Sequence, residues 1–216
     1  FLRGAGLKRL EHYAIFMENN ARYVECCAAG ERSGLYYTCV NSFLTADEVA
    51  YIVNNSESRV LIFSEQQRDV SLEALEHCPA VEVAVVVDGP GAGTRVLNLD
   101  EATKALPSTP IPDESLGVAM LYSSGTTGRP KGIVRPVPDV PPSQLLPVYE
   151  FLRQLLLYRD GLTYLSPAPL YHSAPHVAVN LTIRSGGTAV IMEHFDAEQY
   201  LKLVEQYRPT HSQLVP

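Results

Sequence analysis

Between an apolar run and a proline-rich stretch lies Ser123-Ser124-Gly125-Thr126-Thr127-Gly128-Arg129-Pro130-Lys131-Gly132. Its glycines let successive backbone N–H groups turn toward an anion with no side chain in the way. Four hydroxyls add donors for phosphate oxygens, and Lys131 adds a positive charge on a long stem. Together these are the chemistry of a polyphosphate cradle. The spacing is not that of the P-loop NTPases, which place a glycine five residues before Gly-Lys-Ser/Thr; here Lys131 follows Pro130 and precedes Gly132. A plain surface turn can share this composition, so what carries the reading is the order of the residues.

Other constellations point to less. His172 and His176 have the spacing that would place two metal ligands on one helical face, but Pro175 lies between them and no third ligand is evident. A buried or substrate-facing histidine is therefore expected, with no metal site. His12, His77, His194 and His211 are scattered and read as structural or solvent-exposed. Cys26, Cys27, Cys39 and Cys78 form no CxxC pair, and reduced, mostly buried thiols of an intracellular protein are expected. No serine sits in Gly-x-Ser-x-Gly. Asp88 to Gly93 is glycine-rich, yet without a helical pattern after it the expectation is a surface loop and not a dinucleotide site. The balance of 17 basic and 24 acidic residues, net −7, argues against nonspecific binding to nucleic acid or anionic membrane.

The elements that must position the cradle alternate between short apolar runs and helical periods. Strands are expected at Tyr13 to Met17, Leu35 to Val40, Arg59 to Phe63 and Val81 to Val87. Between them come helices over Ala21 to Gly30, Thr45 to Ile52 and Gln66 to His77; the second opens on a Thr45/Glu48 capping box. Asp47, Glu48 and Glu57 read as a solvated helical face. Gly117 to Tyr122 is a strand that delivers the chain into the cradle at the carboxyl end of a sheet, where α/β proteins bind ligands. Five prolines make Pro136 to Pro147 extended or irregular. A helix over Val148 to Tyr158, strands at Thr163 to Ser166 and Thr188 to Met192, a helix over Ala197 to Tyr207 and a strand from His211 to Val215 complete the chain. The expected fold class is α/β, with mostly parallel sheets flanked by helices.

In its order of residues, 123–132 resembles the signature of the adenylate-forming superfamily, which includes acyl-CoA synthetases, luciferases and peptide-synthetase adenylation domains. The resemblance continues in Thr45 to Ile52 with Ser58 to Ile62, in Tyr164-Leu-Ser-Pro-Ala-Pro-Leu-Tyr-His-Ser173, in Gly186 to Val190, in Phe195-Asp196 and from Pro209 to Pro216. Pro169-Leu-Tyr-His172 is similar to the acyl-site segment of fatty-acyl and related CoA ligases. The resemblance implies ATP-dependent activation of a carboxylic acid, a fatty or other apolar one, as an acyl-adenylate, followed by transfer to coenzyme A. Ser123, Ser124, Gly125, Thr126, Thr127, Gly128 and Lys131 would bind the ATP phosphates, and His172 would sit between nucleotide and acyl pocket. ATP, Mg2+ and coenzyme A are the implied cofactor and co-substrates, and a small carboxylic acid the partner. Two alternatives stay open: a non-catalytic nucleotide-binding or interaction module on the same scaffold, and transfer to a carrier-protein thiol.

The family's magnesium glutamate and catalytic lysine are not among these 216 residues. Residues 1–216 are therefore expected to be a partial N-terminal ATP- and acyl-binding domain without the small C-terminal domain, and inactive alone. Phe1 in place of methionine and Pro216 just after an apolar run carry the same expectation of a longer polypeptide. Val134-Arg135-Pro136 stands where many relatives have a Thr-His or Ser-His pair, which leaves the subfamily open. No apolar run reaches the roughly 20 residues that cross a bilayer. A cytoplasmic protein is expected, with peripheral membrane contact open and with self-association through an open sheet edge.

Overall fold

The computed structural model describes residues 1–123 and 129–214. The chain divides into two units, one of Phe1–Glu18 with Glu25–Gln144, the other of Asn19–Val24 with Leu145–Pro216.

The first unit is built on a parallel sheet. Strands β1 (His12–Phe16), β2 (Tyr36–Val40), β3 (Ser58–Ser64), β4 (Val83–Val87), β5 (Val96–Asn98) and β6 (Val118–Ala119) pair in the order β5-β4-β3-β1-β2-β6. Every pairing in it is parallel. Parallel neighbours need crossovers, and helices α1 (Ala21–Ser33), α2 (Ala46–Asn55) and α3 (Arg68–Glu76) supply them. Central strand β1 is apolar at every position from Tyr13 to Phe16 because both of its faces are covered, and all four side chains are fully buried. Val49, Ile52 and Val53 of α2 pack with Phe16, Leu61, Phe63 and Val86 in one core cluster. Each such side chain taken from water contributes about 1.5–3 kcal/mol, so this cluster fixes α2 against the sheet.

The ends of these elements follow local chemistry. Glu48 accepts hydrogen bonds from the Thr45 backbone N–H and hydroxyl, both at 2.9 Å, and so closes the first turn of α2. Helix α1 runs past the expected stop at Gly30 and ends at Gly34, where φ is +66°. Gly30 serves packing instead: a Cβ there would run into the rings of Tyr13 and Tyr37. Helix α3 starts at Arg68, after a 3-10 turn over Glu65–Gln67. The Asp88 to Gly93 stretch is an exposed loop, followed by β5 and the short helix α4 (Leu99–Thr103).

One strand divides. Gly117 to Tyr122 is not continuous: β6 pairs with β2, and after Met120 a second strand, β7 (Leu121–Ser123), pairs antiparallel with β8 (Lys131–Ile133). Gly117 makes the close approach of β6 possible, since a Cβ there would meet the Gly30 and Leu35 backbones. Its N–H donates to Glu31 O at 2.9 Å.

The second unit carries a parallel sheet of three strands in the order β10 (Thr188–Ile191), β9 (Thr163–Ser166), β11 (His211–Ser212). Helices α5 (Pro147–Leu155), α6 (Ser173–Arg184) and α7 (Ala197–Tyr207) accompany it. Helix α6 has no counterpart among the elements expected from sequence, where Pro175 counts against placing His172 and His176 on one helical face. Pro175 is the third residue of α6, in the first turn, whose N–H groups have no intrahelical acceptor to lose. Asn19 ties this unit's loops together: its side-chain amide donates to Ala168 O at 3.0 Å and Met192 O at 3.1 Å, and its side-chain oxygen accepts from Leu170 N at 2.8 Å.

Candidate functional site

The two described ends of the cradle sequence are brought face to face. In the β7–β8 pair the partners are Leu121 with Ile133, Tyr122 with Gly132 and Ser123 with Lys131. Directly opposite residues of an antiparallel pair share a face, and successive residues alternate between faces. Ser123 and Lys131 therefore present a hydroxyl and an ammonium on one face, and both are exposed. Tyr122 takes the other face, across from Gly132, where any side chain would strike Tyr122 and Met120. Five of the expected phosphate contacts, Ser124, Gly125, Thr126, Thr127 and Gly128, lie outside the described residues.

Helix α2 holds both strands of this hairpin. The Tyr122 hydroxyl donates to Asn55 Oδ1 at 2.7 Å, and burial pushes that hydroxyl's pKa up to about 12. The Tyr51 hydroxyl donates to Pro130 O at 3.0 Å. Over the Tyr51 ring, 5.0 Å from its centre, stands the Arg129 guanidinium, in the range of a cation–π contact. Ser123, Arg129 and Lys131 thus give the hairpin one hydroxyl and two cations, and none of its described residues is a carboxylate. The chemistry of such a set suits an anion and does not by itself suit a divalent metal.

His172, in the second unit, is exposed and stands at the N-cap of α6 with its ring 4.5 Å from that of Tyr171. His176 is buried on the same helix. The cysteines Cys26, Cys27, Cys39 and Cys78 are all buried, and none of the four is in a disulfide.

A cavity of about 450 Å³ opens within the second unit, between α5, α6, β9 and β11. Leu152 and Leu156 line it, with Val177, Ala178 and Leu181 of α6 and His211 of β11. Among the described residues lining it there is no aspartate, glutamate, lysine or arginine. The His211 ring stacks 5.4 Å from that of Tyr158, and its Nε2 bonds to Leu156 O at 2.8 Å. Since a carbonyl only accepts, Nε2 carries the proton. Glu150 and Arg153 pair at 2.7 Å along α5, and that guanidinium with Gln154 lowers the Glu150 carboxyl to about 2.

The sequence reading missed Tyr51, Asn55 and the cavity. Tyr51 and Asn55 are four residues apart on α2, a helical spacing visible in sequence, but their partners lie about 70 to 80 positions away. His211 reads as scattered for the same reason, since β11 alone brings it beside Leu156.

Comparisons place this geometry in context. Crotonobetaine/carnitine–CoA ligase of Escherichia coli is 25% identical over 222 residues, covering 98% of this chain and 41% of that protein. The chain thus spans about two fifths of the length of this curated relative. The inhibitor-bound N-terminal domain of FACL13 from Mycobacterium tuberculosis superposes with a TM-score of 0.82 at 23% identity, over 100% of this chain and 52% of that one. The amide bond synthetase McbA from Marinactinospora thermotolerans superposes with a TM-score of 0.75 at 24% identity, over 98% and 41%. The two solved structures share the α/β fold of this chain. The profile of the AMP-binding enzyme family matches residues 1–216 from end to end, and the chain belongs to that family.

Proposed function

We propose that this chain carries the ATP- and acyl-binding part, within the N-terminal domain, of an ATP-dependent acid–thiol ligase. In the first step a carboxylate oxygen attacks the α-phosphorus of ATP, and pyrophosphate leaves. In the second a thiol, that of coenzyme A, attacks the acyl carbon and AMP leaves. The observation that carries the reading is the pairing of Ser123 with Lys131 beyond the edge strand of a parallel sheet. A hydroxyl donor and an ammonium on one face suit the departing pyrophosphate, whose growing negative charge must be neutralised while attack stays in line. Ser124, Gly125, Thr126, Thr127 and Gly128 complete the phosphate contacts in this reading, and His172 is a substrate-side residue.

The substrate class follows from the second unit. An apolar cavity without charged side chains suits the tail of a fatty or other apolar acid and disfavours a second carboxylate. Magnesium would arrive on the nucleotide; the hairpin's described residues offer it no carboxylate, so no step here is assigned to it. The 216-residue chain by itself is expected to make no acyl-adenylate, because the glutamate and lysine that the resemblance requires are not among its residues. No described helix is long and apolar enough to cross a membrane.

Carboxylate-dependent ATP–pyrophosphate exchange by the full-length protein, with short, medium, long and aromatic acids, tests this. Exchange with apolar acids supports the reading. A folded protein that binds ATP and exchanges with none of them would be a binding module instead.

A further inference from the structure

We infer that helix α2 sets the position of Ser123 and Lys131, with Tyr51 and Asn55 as positioning residues for the phosphate-binding pair. The inference rests on the proposed phosphate role of those two residues. It comes from which atoms α2 holds. Asn55 fixes Tyr122, the residue before Ser123, through the 2.7 Å bond from its hydroxyl. Tyr51 fixes Pro130, the residue before Lys131, through the 3.0 Å bond to its carbonyl. The hairpin is thus held at the residue before each phosphate-binding side chain, and on β7 the hold is on Tyr122, whose side chain takes the face opposite that of Ser123.

A two-stranded hairpin is marginal by itself in water, so an external brace decides how well it is ordered. Helix α2 can serve as that brace because its own position is fixed. Its inner face is locked in the core by Val49, Ile52 and Val53, and its first turn is closed by Glu48. Arg129 adds a second function to Tyr51. Parked over the ring at 5.0 Å, the guanidinium is kept beside the hairpin as a second cation near Lys131 while contributing to the brace itself. A preorganised pair loses less freedom when an anion arrives, so the brace should be read out in nucleotide affinity and not in the rate of the acyl step.

The test uses the full-length protein with Tyr51→Phe, Tyr51→Leu, Asn55→Ala, Arg129→Ala and the double variant Tyr51→Leu with Arg129→Ala. Trypsin reports on the hairpin directly, because it can cut after Lys131 once β8 opens, whereas the Arg129–Pro130 bond resists it. Cleavage after Lys131 is expected to quicken about 5- to 50-fold in Tyr51→Leu, the size of a lost hydrogen bond with a lost cation–π contact. Tyr51→Phe, which keeps the ring, should lie between it and the wild type. Arg129→Ala should add nothing once Tyr51 is leucine. The KM for ATP should rise by a similar factor in exchange assays, with the KM for the acid unchanged.

Unchanged cleavage and unchanged ATP KM in Tyr51→Leu would overturn the inference, as would faster cleavage with an unaltered ATP KM. Full additivity of Tyr51→Leu and Arg129→Ala would remove Arg129 from the brace. If the wild type shows no exchange at all, the proposed function fails, and the cleavage rates alone then decide whether α2 braces the hairpin.

Discussion

Ser123 and Lys131 are register partners across the β7–β8 pair, eight positions apart in sequence and side by side on one exposed face. In the proposed function, a hydroxyl and an ammonium held together in this way would act on one anion at once. Charge-assisted hydrogen bonds are worth about 1.5–3 kcal/mol each, so Lys131→Ala should lower kcat/KM for ATP by about 10- to 100-fold in exchange assays. Lys131→Arg should recover part of that loss, because it restores the charge but as a planar fork in place of a compact ammonium. Equal activity of Lys131→Ala and wild type would remove the lysine from the site.

Gly117 lets β6 lie against β2, and there is no space for a methyl group between it and the Gly30 and Leu35 backbones. Gly117→Ala is expected to destabilise the chain by about 1–3 kcal/mol through overpacking, measured by urea unfolding. Gly93, with φ of +62° and open space around it, is the control. Gly93→Asn should stay within about 0.5 kcal/mol of wild type, since asparagine tolerates that conformation and the site is a surface loop.

The cavity in the second unit should govern which acid is accepted. Ala178 lines it and is itself buried, so Ala178→Phe fills space that a tail would use. The expected outcome is a shift of exchange activity from longer to shorter acids, with the KM for ATP unchanged. A uniform loss across all acids would point to misfolding, and an unchanged acid profile would mean the cavity is not where the tail lies.

Tyr122 gives a pH dependence with a definite sign. Burial raises its hydroxyl from 10.0 to about 12, so the folded chain holds that proton more tightly than the unfolded one. Its contribution to stability is complete below pH 10 and is lost as pH rises toward 12. Tyr13, Tyr37, Tyr158 and Tyr164 are raised by burial too, so the whole chain should weaken above that point. Denaturant titrations at stepped alkaline pH should show a shallower decline for Tyr122→Phe than for wild type.

The alternation of apolar runs and helical periods was enough to place most strands and three crossover helices of the first unit, because parallel strands covered on both faces must be apolar at every position. Local chemistry was equally legible where it involves near neighbours, as in the Thr45/Glu48 closure of α2. The expectation of a phosphate cradle rests on residue order, since glycines, hydroxyls and a lysine carry their chemistry without reference to the rest of the chain; residues 124–128 of it lie outside the described ones. Sequence misjudged Gly30 and Pro175, because a glycine's packing role and a proline's place in a helical turn depend on what surrounds them. Only the tertiary structure brought Lys131 opposite Ser123, Tyr51 under Arg129 and His211 beside Leu156. Strand register and helix docking are set by burial summed over many distant residues, and no short window of sequence contains that sum.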